Sequence, residues 1–83
     1  MEKFKVNERR NVCGKKLKKV RMIKGVSQES VAVKIQLSGL DITQKAISRM
    51  ETGKRLVADY ELKYLADALG ISVRDLFEEE DDP

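Results

Sequence analysis

The chain has no histidine and no tryptophan, one cysteine, and a single proline that is its last residue. Without an imidazole there is no histidine proton transfer, no serine or cysteine hydrolase triad and no histidine-containing zinc site. Cys13 stands alone, so neither an internal disulfide nor a four-cysteine metal site can form, which suits a reducing, cytoplasmic compartment. Cysteine is among the most buried residue types, and Cys13 reads as a structural side chain. No apolar run approaches the roughly 18 residues of a membrane span, and the lysine-rich start lacks the apolar stretch of a signal peptide, so a soluble, unexported protein is expected. A glycine-rich phosphate loop and a carboxylate cluster in a cleft are also missing. The sequence therefore offers no enzyme, cofactor or metal site.

Eighty-three residues make one small domain with a modest core. Net charge is only +3, but it is unevenly spread. Residues 1–24 carry ten Lys/Arg against two acids, residues 25–55 five against three, and residues 56–83 two against nine. A basic front and an acidic end suit a molecule with one side turned to a polyanion, although basic and acidic helices also do no more than solvate a surface.

With five glycines and no internal proline, the chain reads as helical throughout. Residues 1–11 are polar apart from Phe4 and Val6 and are expected to form a flexible basic N-terminal arm or an extra turn. From Val12 to Lys24, Cys13, Leu17 and Val20 share one helical face, and Gly25 stops the helix. Ser27 caps a second helix, QESVAVKIQL, with Val31 and Ile35 one turn apart. Thr43 caps a third, QKAISRMET, whose Ile47 and Met50 share a face and which Gly53 terminates. Asp59 is expected to cap a fourth helix carrying Leu62, Leu65 and Leu69 and ending at Gly70. Ser72 and Asp75 pair as a capping box for a short fifth helix with Val73, Leu76 and Phe77. Cys13, Leu17, Val20, Val31, Ile35, Ile47, Met50, Leu62, Leu65, Leu69, Leu76 and Phe77 read as core. Residues 78–83 form a solvated acidic tail.

Residues 28–55 thus hold two helices joined by a glycine-containing connection, the second helix carrying Gln44, Lys45, Ser48 and Arg49 outside. That is the layout of a helix-turn-helix, in which one helix braces on the phosphate backbone and the next presents polar and cationic side chains to base edges in the major groove. Glutamine pairs with adenine in two hydrogen bonds, and arginine or lysine with guanine.

The segments VCGKKLKKVRMIKGVSQESVA, ITQKAISRMETGKR and ELKYLADALGISVRDLF, in this order, resemble the lambda-repressor-like, Cro/phage-repressor type (Xre) helix-turn-helix domains. The resemblance covers residues 12–77 and implies a compact, all-α, five-helix domain. It also implies that Gln44, Lys45, Ser48 and Arg49 read bases, and that Gln28, Thr43, Lys54 and Arg55 contact the DNA backbone, aided by helix N-terminal dipoles. Similar domains pair the positions of Arg21 and Glu51 in a partly buried salt bridge.

The connection departs from the family pattern. Residues 36–41 make it roughly five residues longer than the usual tight turn. Either the second helix runs about one turn further, which is the favoured expectation, or an irregular loop packs Leu37 or Leu40 over the core before the third helix begins.

Double-stranded DNA is the partner implied, bound by a transcriptional regulator, with repressor, phage immunity and antitoxin types all open and a toxin or regulator as a further protein partner. A weak homodimer through the fourth and fifth helices is expected, because one small domain reads few base pairs; Tyr64 with Val73 or Phe77 is a candidate contact. The competing class is a protein-interaction adaptor that uses the same fold without specific DNA binding.

Overall fold

A computed structural model describes residues 9–77. The acidic tail over 78–83 and the first eight residues of the expected arm lie outside these described residues. Four α-helices follow in order: α1 (Gly14–Ile23), α2 (Gln28–Leu37), α3 (Gln44–Glu51) and α4 (Asp59–Leu69). A 3-10 helix, Val73–Leu76, stands where the fifth helix was expected. The architecture is all-α with four helices and a 3-10 turn, not five helices, and there is no strand among the described residues. Four residues are enough for the Ser72/Asp75 capping box: Ser72 Oγ accepts from the Asp75 N–H and Asp75 Oδ2 from the Ser72 N–H. They are too few for the cooperative gain of an α-helix.

Helix α3 is packed between α1 and α2, α2 also rests on α4, and α4 carries the 3-10 helix. The core gathers Cys13 and Leu17, then Val31, Ala32 and Ile35 from α2, and Ile42 from the connection. Ile47 and Met50 of α3, Leu65, Ala66 and Leu69 of α4, and Leu76 complete it. Burial pushes the Cys13 thiol pKa up, consistent with its structural reading. Three side chains expected in the core depart from it. Val20 and Leu62 are only partly buried at its edge, and Phe77 is exposed. A 3-10 helix repeats every three residues, so a side chain one step beyond the buried Leu76 is rotated about 120° off its face. Tyr64, a candidate dimer contact, instead packs partly buried against the core.

Residues 9–11 do not form a loose arm. Arg9 Nη2 donates to the Glu51 carbonyl (2.8 Å), the Arg10 N–H to the Gly53 carbonyl (2.8 Å), and Asn11 Nδ2 to the carbonyls of Met50 (3.0 Å) and Arg55 (2.8 Å). Carbonyls at a helix end have no partner within the helix, and this short segment supplies donors to those at the end of α3. Asn11 Oδ1 also accepts from the Gly14 N–H (2.7 Å), so α1 starts at Gly14 rather than Val12, which is 80% exposed. Gly14 allows α1 to lie directly on α3: a Cβ there would collide with the Met50 carbonyl oxygen. Gly53 is needed twice over. It sits at φ +78°, and a Cβ would come within 2.7 Å of the Arg9 guanidinium carbon lying across it.

The connection between α2 and α3 divides the inserted residues. Gln36 and Leu37 join α2, short of the expected extra turn, and residues 38–41 form an irregular loop. Gly39 takes φ +110°, and Leu40 turns back onto the core while Leu37 stays 83% exposed. Gln36 Nε2 closes the loop by donating to the Ile42 carbonyl (2.6 Å).

Candidate nucleic-acid interface

Both helices of the 28–51 unit begin with a hydroxyl cap. Ser27 Oγ accepts from the Ser30 N–H (3.0 Å) and Thr43 Oγ1 from the Ala46 N–H (3.1 Å). These caps fix the start of each helix, where exposed N–H groups and the helix dipole favour an anion. On α3 the alternation of exposure is sharp: Ile47, Met50 and Glu51 are buried, while Gln44, Lys45 and Arg49 are exposed and Ser48 is half-buried. Gln44, Lys45, Ser48 and Arg49 are spaced so that they lie along one outward strip. The strip continues one turn further to Thr52, whose hydroxyl donates to the carbonyls of Ser48 (3.1 Å) and Arg49 (3.3 Å). Thr52 was not singled out from the sequence, although its spacing of four from Ser48 was there to be read.

Behind the strip runs a polar chain that crosses three helices. Arg21 of α1 meets Glu51 of α3 through Nε–Oε2 (2.6 Å) and Nη2–Oε1 (3.0 Å), while its Nη1 donates to the Val26 carbonyl (2.9 Å). The Glu51 side chain is 1% exposed, and its partnership raises the Arg21 pKa, the hydrogen bond being the largest cause. Gln28 Nε2 donates to Glu51 Oε1 (2.9 Å), and Gln44 Nε2 donates to Gln28 Oε1 (2.6 Å). Buried ion pair and exposed α3 surface are thereby linked through a single glutamine. In front of the chain lies an open groove lined by Arg21, Ser27, Gln28, Glu29 and Gln44.

The residues expected on the DNA backbone are placed differently from one another. Gln28 stands at the α2 N-terminus but spends its amide on Glu51 and Gln44. Thr43 caps α3 and remains exposed, and Lys54 is exposed just beyond α3. Arg55 is drawn away. Its Nη1 and Nη2 donate to Glu61 Oε1 (2.9 Å) and Oε2 (3.0 Å), and Nη1 also reaches the Leu56 carbonyl. Glu61, 6% exposed, accepts from the Ala58 N–H as well (2.9 Å), so Ala58 is the N-cap of α4, served by this glutamate, and the expected cap Asp59 is the first residue of the helix. The Arg55 guanidinium holds the Glu61 carboxyl below its ordinary range, against the opposing effect of burial. This pair is a structural strut, with Arg55 engaged in the fold rather than extended to a phosphate.

Among the described residues no helix is long and apolar enough to cross a membrane, and no group of three or more His, Cys, Asp or Glu is placed to hold a metal ion. Comparison with known proteins gives one positive finding: a family model described as helix-turn-helix matches residues 17–76. No curated protein and no solved structure matches the chain significantly.

Proposed function

Because the chain belongs to the Cro/phage-repressor type of helix-turn-helix family, a family of DNA-binding transcription regulators, we propose that it binds double-stranded DNA sequence-specifically with α3 in the major groove. The observation that carries this reading is the outward strip of Gln44, Lys45, Ser48 and Arg49, a row of donors and acceptors on a capped helix whose buried face is Ile47, Met50 and the ion-paired Glu51. Gln44, Lys45 and Arg49 read base edges. Ser48 adds a short hydroxyl contact, and Thr43 and Lys54 hold the backbone on either side. Arg55 leaves this set because Glu61 holds it. Occupation of a site overlapping a promoter makes such a protein a repressor.

Two copies related by a two-fold axis would double the base pairs read, with half-sites about one helical turn, roughly 34 Å, apart. Leu56, Tyr60 and Phe77, exposed by 67%, 58% and 45%, supply apolar side chains for a weak homodimer contact.

Selection of bound duplexes from a randomised pool at near-physiological salt tests the reading. Enrichment of an inverted repeat supports a dimeric, sequence-reading regulator. Retention without enrichment would reduce the activity to phosphate-driven binding, and no retention at all would shift the α3 face to a protein partner.

A further inference from the structure

We infer that Asp41, in the inserted loop ahead of α3, is a further specificity-determining residue: its carboxylate accepts a hydrogen bond from the amino group of a cytosine at the base pair next to the one read by Gln44. This inference rests on α3 being the reading helix. The loop holds Asp41 between two anchored neighbours. Leu40 packs against the core, and its N–H donates to the Ile35 carbonyl (3.3 Å). Ile42 is 3% exposed, and its carbonyl accepts from Gln36 Nε2 (2.6 Å). The backbone enters the α3 cap extended, with φ −106° and ψ 164° at Thr43, and along extended backbone side chains alternate between faces. With Ile42 turned inward, Asp41 and Thr43 stand exposed on either side of it. Asp41 therefore lies at the leading end of the outward strip, three residues ahead of Gln44.

The sign of its charge gives the position meaning. Between residues 38 and 58 the acids are Asp41 and Glu51, and Glu51 is buried in its pair with Arg21. Asp41 is thus the one exposed carboxylate in the stretch that carries Lys45, Arg49 and Lys54. It has no hydrogen bond or ion pair among the described residues. An anion brought up to a duplex is repelled by phosphates whatever the sequence, and the cost is offset only where a donor meets it. A carboxylate is an acceptor only. In the major groove cytosine presents the N4 amino donor, with which aspartate pairs, whereas guanine N7 and O6 and thymine O4 are acceptors, and adenine sets its N6 donor beside the N7 acceptor. Asp41 therefore selects twice over, by the bond it makes to cytosine and by the repulsion it keeps toward the other bases.

The test compares the wild-type chain with Asp41→Ala and Asp41→Asn, using duplexes selected from a randomised pool, with Gln44→Ala to locate the neighbouring pair. Two quantities are read: the thermal midpoint without DNA, and the ratio of affinities for duplexes that differ only by cytosine or guanine at the pair assigned to Asp41. Both variants should keep the wild-type midpoint, since the side chain makes no bond within the fold. Asp41→Ala should weaken binding to the cytosine duplex and tighten binding to the guanine duplex, lowering the ratio about tenfold, within the range of one good base contact. Asp41→Asn, of the same size but uncharged and able to donate to guanine, should lose the preference as well. Preferences at the remaining pairs should be unchanged. If both variants tighten every duplex evenly and keep the ratio, Asp41 only repels phosphate and the inference is overturned. A lowered midpoint with the ratio kept would make Asp41 a stabiliser of the start of α3 and would overturn it equally. A wild-type protein with no base preference anywhere would instead bring down the proposed function itself.

Discussion

Lys54 and Arg55 are adjacent cations with different fates. Lys54 is exposed beside α3, while the Arg55 guanidinium lies flat against the Glu61 carboxylate. Lys54→Ala is expected to weaken binding to all duplexes alike and to reduce the slope of log K against log salt by about 1, as for one lost phosphate contact. Arg55→Ala should show itself in thermal denaturation, since it strands a buried carboxylate. Glu51→Ala should cost roughly 3–5 kcal/mol by leaving Arg21 half-buried without its partner, whereas Asp67→Ala, at an exposed site, should stay within about 0.5 kcal/mol. Indistinguishable melting curves for these two variants would remove the Arg21–Glu51 pair from the stability of the fold. The two ion pairs were unequally legible. Arg21 and Glu51 lie 30 residues apart, and only resemblance to similar domains linked them. Arg55 and Glu61, six apart, match no helical or strand period, because the turn between them is irregular. No pattern rule pairs residues across such a turn.

At the level of elements, helices with both an apolar period and a polar cap could be read closely. Ser27 and Thr43 cap α2 and α3 where hydroxyl residues precede periodic apolar runs. Thr43→Ala should destabilise the domain by about 1 kcal/mol, measured by urea unfolding, and lower DNA affinity further by fraying the start of α3. Where the period failed, so did legibility. Ile42 is buried in a non-periodic loop, and the 9–11 segment is ordered by carbonyls about forty residues away that no local pattern reports.

The start of α4 carries a pH dependence whose sign follows from the lowered Glu61 pKa. A carboxyl with a folded pKa below its unfolded value of about 4.3 stabilises the fold above that value, and the contribution is lost as pH falls through the folded pKa. The difference in thermal midpoint between wild type and Glu61→Gln should therefore be full at pH 7 and shrink on acidification below about pH 4.3. A difference that stays constant down to pH 3 would mean that Glu61 acts through shape alone.

Across the whole molecule, one small core holds the helices in register, and α3 lies at its centre with Ile47 and Met50 fully buried. Leu65, also fully buried, belongs to α4 and not to the outward strip, yet Leu65→Ala should cost about 2–5 kcal/mol, a large share of the roughly 5–15 kcal/mol that stabilises a domain. The expected signature is a lowered thermal midpoint with unchanged base preference at temperatures where the variant remains folded. The basic front is a property of the same scale. Residues 1–24 hold ten of the seventeen cations, and their field should speed association with DNA at low salt without selecting a sequence.

The clasp of residues 9–11 over the end of α3 also bears on time. Its bonds join residues 42, 39 and 44 positions apart, and such closures form only after the intervening chain has condensed. On the ribosome, Arg9 and Asn11 emerge early and wait for Met50, Glu51 and, for the last bond, Arg55 to clear the exit. Helices α1, α2 and α3 must first find one another, and the α3 carbonyls gain these partners last. A nascent chain halted short of Arg55 would thus hold its DNA-reading helix without the last of the bonds that finish it.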